Sequence, residues 1–331
     1  MKQGLHSDAI VIDGLIASNW GRPVFESMHQ GGLTAANCTC SYWESFRDTM
    51  RNIGQWYRWF SEYSDIIMPV YSTADIKRAK TENKVGIVLG FQNTSAIEDQ
   101  LDALGLFKQL GVGVMQLTYN TQNFVGSGCW EDADGGLTGF GREVVEEMNH
   151  RRIVIDLSHT SAKTAEAAIH HSRQPVAYSH ICPAGLFSHA RNKTDEQMRE
   201  IVKRGGFVGV ATYPPFMAQG KDATLDDAVT VFEYVINICG EENVGIGTDM
   251  TQGQDAKFFD WLRSDKGYAR RMVSTPGRTP PSMPGMSTLA DYGNLTAAFE
   301  RRGWSERRIR GVLGENWLRF LGDVWGGATS R

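Results

Sequence analysis

No window of this 331-residue sequence approaches the ~18 uninterrupted apolar residues that a membrane-spanning helix needs, so no membrane partner is expected. Charge of one sign is lacking too: 34 Lys and Arg stand against 38 Asp and Glu, for a net charge of −4. That balance leaves no electrostatic footprint for nucleic acid, and a small molecule becomes the expected partner. Cysteine is scarce, with five residues at the irregular positions 38, 40, 129, 182 and 239. An odd count at such spacing fits a reducing compartment better than a disulfide framework. The opening MKQGLHSDAIVIDG has one lysine and an acidic residue before a short apolar run, with no small-residue cleavage pattern behind it. No signal peptide is read there, and a cytoplasmic location is expected. Repeats, low-complexity tracts and linkers are missing as well, which favours a single domain over residues 1–331.

What is present is a soluble composition, 41% hydrophobic, in a chain long enough to bury a large core. Short runs rich in Val and Ile fall at 9–12, 33–39, 86–89, 113–117, 153–156, 176–178, 207–211 and 244–247. Each is followed by a helical pattern. Alternation of this kind predicts an α/β fold whose eight parallel strands close into a barrel, and continuous apolar runs suit strands buried on both faces. Thr138 is placed to cap a helix carrying Phe140, Val144, Val145 and Met148 at helical spacing. Helices are also expected over 162–171 and 195–203, a long loop over 274–284, and a helical extension at the C-terminus.

In such a barrel the chemistry lies just beyond the C-terminal ends of the strands. The residues there include Gln92 after the third run, Tyr119 and Asn120 after the fourth, His159 after the fifth, His180 after the sixth and Asp249 after the eighth. Imidazoles suit zinc and similar divalent metals, and consecutive strand ends would set His159 and His180 side by side. Asp249 could complete the coordination or act as the base toward an attacking water. One histidine after a strand is more often a hydrogen-bonding residue than a ligand; two at adjacent ends with an aspartate shift the balance toward a metal site. Arg191 suits a substrate carboxylate, and equally a structural acid. His189 shares its loop. Cys38 and Cys40 lie two apart and read as small core residues, and the aromatics of 43–59 read better as a helix-packing face than as a pocket wall.

The stretches GGLTGFGREVVEEMNHRRIVIDLSH, PVAYSH, HARN, NVGIGTD and GVLGENWLRFL, in this order and spacing, resemble the membrane dipeptidase (renal dipeptidase, peptidase family M19) enzymes across nearly the whole chain. The resemblance implies a (β/α)8 TIM-like barrel of the amidohydrolase superfamily, a metal-dependent hydrolase that usually holds two zinc ions and cleaves dipeptides. It further implies a homodimer or higher homo-oligomer. By position, His159 and His180 match the pair of histidines holding one zinc. Asp249 matches the aspartate that touches the other zinc and assists proton transfer, and Arg191 matches the arginine that binds the substrate carboxylate.

The departures are as telling. Where the family has Asp-Gly-His-x-Asp, with its His and Asp as zinc ligands, this chain reads DGLIA, so Leu15 and Ala17 occupy those places. The bridging glutamate falls at Gln92, and a substrate-contacting histidine falls at Tyr119 in LTYN. The usual two-metal site cannot be assembled. A neutral amide at position 92 is consistent with the loss of one cation, and the expectation is one divalent metal, zinc, on His159, His180 and the Gln92 carbonyl. Tyr119, Asn120 and Arg191 would meet a dipeptide or amino-acid derivative. Two other readings stay open: an enzyme of another class on the same barrel, such as a lyase or one acting on small amines, and a non-catalytic binding protein.

Overall fold

In the computed structural model, which describes residues 4–270, 272 and 279–326, the apolar runs form parallel strands. They are β1 Ile12–Ile16, β2 Ala35–Ser41, β3 Ile67–Pro69, β4 Val85–Phe91, β5 Val112–Gln116, β6 Val154–Asp156, β7 Ala177–Ile181, β8 Phe207–Val210 and β9 Val244–Ile246. β1 pairs with both β2 and β9, β2 pairs with β4, and β4 through β9 pair in sequence, so eight strands close a ring. This is the (β/α)8 architecture. The ninth strand, β3, lies along the first half of β4 from Ile67 opposite Val85 to Pro69 opposite Ile87, and β5 takes over from Leu89 onward. Three residues ending in proline carry no periodic signal, which is why the sequence does not announce it.

The first strand differs from expectation. The run 9–12 reads as a strand broken at Asp13-Gly14, yet β1 passes straight through both. Asp13 is tolerated in the barrel because its buried carboxylate accepts from Leu15 N at 2.9 Å, Thr248 N at 3.0 Å, the Thr248 hydroxyl and the Tyr292 hydroxyl. Gly14 is required by space: a Cβ there would sit 2.4 Å from the Trp317 ring and 2.7 Å from the Ser179 carbonyl oxygen.

Trp317 belongs to the helix Asn316–Trp325, which closes the N-terminal end of the barrel. Ile12, Ala35, Val114, Val154, Ala177 and Phe207 meet Trp317, Phe320, Leu321 and Val324 in one buried cluster. The indole N–H donates to the Ile246 carbonyl at 2.7 Å, and Gly245 lacks the Cβ that would otherwise touch the ring. Trp317→Ala should therefore cost about 3–5 kcal/mol of stability by chemical denaturation; a loss within the ordinary range for a surface change would mean that the helix does not seal this end.

The outer helices follow their signals. Thr138 caps Gly139–Arg151 by accepting from Gly141 N, and Ala162–His171 and Asp195–Lys203 begin and end as expected. Within the expected loop, residues 274–278 lie outside the described residues; residues 279–284 are irregular and lead to the C-terminal helices. No helix among the described residues is long and apolar enough to cross a membrane.

Candidate active site

The end of the barrel opposite Trp317 carries the two histidines. β6 pairs with β7, which brings His159, three residues past β6, beside His180 within β7, their Nε2 atoms 3.0 Å apart. The other ring nitrogens fix the tautomers. His159 Nδ1 donates to Asn120 Oδ1 at 2.6 Å, an oxygen that can only accept. His180 Nδ1 lies 2.7 Å from Ser179 Oγ, whose own proton goes to Asp156 Oδ2 at 2.5 Å, so the imidazole donates again. Ser158 Oγ donates to the second Asp156 oxygen at 2.6 Å. Both Nε2 atoms therefore present lone pairs to the same point. Two lone pairs at that distance repel, and a cation shared between them relieves the repulsion. Burial first, then the charges of Arg191 and Lys193, holds both imidazoles well below their usual range, so they stand neutral as metal ligands must.

Asn120 and Asp249 share a backbone peculiarity. Their φ angles are 61° and 59°, the left-handed region that Asn and Asp tolerate better than most residues. Asp249 follows β9, and its N–H donates to the Leu15 carbonyl at 3.1 Å while neighbouring Thr248 clamps Asp13. Burial raises the Asp249 carboxyl to about 7, with Arg191 opposing the rise and Asp13 and Asp156 adding to it.

A cavity of about 250 Å3 joins these groups, lined among others by Gln92, Tyr119, Asn120, His159, Arg191 and Asp249. Tyr119 stacks on His159 with ring centroids 4.3 Å apart. Gln92 follows β4 directly and turns its Nε2 to Thr39 Oγ1 at 2.9 Å, leaving its carbonyl oxygen as the atom with lone pairs to offer. Arg191 is buried, with Nη1 donating to the Ser158 carbonyl, Nη2 to the His180 carbonyl at 3.2 Å, and its guanidinium 5.1 Å from the centre of the Phe216 ring. Its Nε has no partner among the described residues, and each Nη keeps a second N–H, so the guanidinium has donors left over. His189 also lines the cavity and accepts from the Arg191 N–H at 3.1 Å.

The predicted residues thus converge on one cavity, except that His180 stands behind His159. Leu15 and Ala17 are both buried, Ala17 in the cavity wall. Among the described residues no group of three or more His, Cys, Asp or Glu is placed to hold a metal. Cys38 and Cys40 are buried, and all five cysteines are free. Of the aromatics in 43–59, Trp56 packs between Trp20 and Trp59 on the helix Phe46–Glu62. Sequence reasoning missed Asp156, Ser179 and the aromatic walls from Tyr42, Trp130, Tyr213 and Phe216. One signal was available for the first two: a Ser-His pair ends two consecutive runs, and both serines turn to Asp156.

The model of the membrane dipeptidase family (peptidase family M19) matches residues 23–263. Dipeptidase aclJ of Aspergillus oryzae is 30% identical over 85% of this chain, and an uncharacterized dipeptidase of Schizosaccharomyces pombe is 29% identical over 84%. The chain spans 62% of the length of each of these relatives. Among solved structures, an amidohydrolase from Pseudomonas aeruginosa is 53% identical with a TM-score of 0.94, covering 97% of this chain and 98% of its own. A metallo peptidase from Rhodobacter sphaeroides, solved with a phosphinate mimic of the dipeptide L-Ala-D-Ala, shares the fold at 20% identity and a TM-score of 0.81, covering 96% of this chain and all of its own. By its sequence and by its fold, the chain belongs to the membrane dipeptidase family.

Proposed function

We propose that this protein hydrolyses an amide bond in a small carboxylate-bearing substrate, a dipeptide or an amino-acid derivative, at a site built for one divalent metal ion, zinc by family habit. The observation that carries the reading is the pair of Nε2 lone pairs facing each other between His159 and His180. Those two residues would hold the ion, with the Gln92 carbonyl oxygen as a third protein donor. When bound, the ion supplies Lewis acidity, which acidifies a water and polarises a carbonyl.

The chain's own side chains supply the rest. Asp249 accepts the proton of the attacking water and returns it to the leaving nitrogen. Arg191, held rigid by two backbone carbonyls, offers the N–H groups left free by those bonds to the substrate carboxylate. Asn120 keeps His159 in the ligating tautomer, and the Tyr119 ring fixes its plane. A cavity of about 250 Å3 admits a molecule of dipeptide size and little more. The five free cysteines support a reducing, cytoplasmic setting, and the family resemblance supports a homo-oligomer.

The test is metal analysis of protein purified without added metal, followed by turnover of a panel of dipeptides, N-acyl amino acids and small amines. About one zinc per chain and metal-dependent release of an amine are expected; a metal-free protein that hydrolyses none of the panel overturns the reading. A second measurement addresses the metal count. Restoring the family's ligands with Leu15→His, Ala17→Asp and Gln92→Glu should raise metal content from about one to about two per chain. A folded triple variant that takes up no additional metal at saturating zinc would show that these three positions do not set the count.

A further inference from the structure

Lys193 is 1% exposed, a depth at which lysine is seldom found without a partner of opposite charge, and it takes no part in the chemistry proposed above. Among the described residues no acid pairs with it; Asp134 and Asp156 act on it only from a distance. Its Nζ donates to the Thr160 carbonyl at 2.8 Å and stands 5.1 Å from the centre of the Tyr178 ring. A buried ammonium is a costly way to satisfy one carbonyl. What the bond joins accounts for it. The backbone of Lys193 is fixed just past the end of β7, beside His180: its N–H donates to the Cys182 carbonyl at 3.0 Å, and its carbonyl accepts from Ala184 N at 2.8 Å. Its side chain ends at Thr160, the residue after His159. The lysine thus spans the two segments that carry the imidazoles.

The neighbouring carbonyls are taken as well, Ser158 by Arg191 Nη1 and His159 by Cys129 N at 2.9 Å. Three consecutive peptide oxygens around His159 are therefore tied from outside, two of them by cations from the loop after β7. The Nε2 atoms of His159 and His180 stand 3.0 Å apart, near the ~3.3 Å that separates two donors about 2 Å from one tetrahedral ion. Neutral imidazoles with facing lone pairs repel, so without a cation the surrounding frame must hold the gap closed. We propose that Lys193 is a positioning residue, a strut that sets the spacing of His159 and His180 before any metal arrives. The inference rests on the reading of these two histidines as metal ligands. A spacing set in advance favours binding, because the ion meets donors already in place.

A strut and a merely structural lysine predict opposite results for Lys193→Met, which keeps most of the side chain's length and removes its donor. Replacing a buried charge by an apolar group of similar volume is often neutral or stabilising, so the metal-free variant should unfold in denaturant near the parental midpoint. Zinc affinity, measured by competition with a chromophoric chelator, should nonetheless fall about 10–100-fold. The visible spectrum of the cobalt-substituted variant should shift, and a crystal structure of the metal-free variant should show the two Nε2 atoms farther apart than 3.0 Å. Trp317→Ala is the control, since it loses stability at the other end of the barrel and should keep parental zinc affinity. If Lys193→Met does not fold, Lys193→Gln, one bond shorter than lysine, takes its place with an expected loss of at least about threefold. Parental zinc affinity with an unchanged cobalt spectrum in whichever variant folds overturns the strut, as does an equal loss of zinc in Trp317→Ala. A parent protein that binds no zinc overturns the ligand reading and the strut with it, whereas a zinc-binding parent beside an equally zinc-binding Lys193→Met protein removes the strut alone.

Discussion

His159→Ala and His180→Ala should each lose the metal ion proposed for this pair while the barrel remains folded. His159 and His180 are the two nitrogen ligands proposed for the ion, and removing one leaves a lone Nε2 with the Gln92 carbonyl, too few donors to retain a divalent ion against water. The cost to the fold is modest. Each histidine gives up one hydrogen bond, to Asn120 at 2.6 Å or to Ser179 at 2.7 Å, worth about 1–3 kcal/mol when a buried partner is left behind. The seal around Trp317, at the other end of the strands, is untouched. Zinc content measured by mass spectrometry should drop from about one per chain to near zero, with an unchanged far-ultraviolet circular dichroism spectrum. Full metal content in both variants would sink the assignment of these residues.

Asp249→Asn has the opposite signature: metal stays and turnover goes. Asparagine tolerates the left-handed backbone at φ 59° as aspartate does, so the substitution removes a proton acceptor and little else. The expected loss in kcat is about 10²–10⁴-fold. In the parent enzyme only the ionised carboxylate accepts a proton. Burial lifts its pKa to about 7, and the positive charge of the ion proposed between the histidines would draw it down again. Activity should thus fall on the acid side, with a limb at or below pH 7 that is absent from the residual rate of Asp249→Asn. A variant with parental kcat would remove Asp249 from the chemistry.

The ring of strands and the placing of His159, His180 and Asp249 at one end of it were legible because each lies at or just past the end of an apolar run, and strand ends in a closed barrel share one rim. The failures have a common physical origin. Asp13 reads as a break in an apolar run because its partners Thr248 and Tyr292 lie 235 and 279 residues away. Partners that distant leave no local pattern. Asp156 and Ser179 went unnoticed because they work by holding another residue's proton in place, a role that residue type alone does not reveal. Tyr42 comes to the cavity from the loop after β2, and Tyr213 and Phe216 from the short turn after β8, where aromatic residues have no period to read.

The joint at Trp317 bears on how the chain is made. Its ring rests against Gly14 in the first strand of the barrel and Gly245 in the last, so the two ends of the strand order meet at one contact. On the ribosome, β1 emerges long before either β9 or the helix that covers this end of the barrel, and the apolar floor formed by Ile12, Ala35 and Val154 stays open until that helix has been made. Until then the nascent barrel exposes aggregation-prone surface. Chaperone dependence should accordingly concentrate before this helix is made, and deleting Asn316–Trp325 should deplete soluble protein.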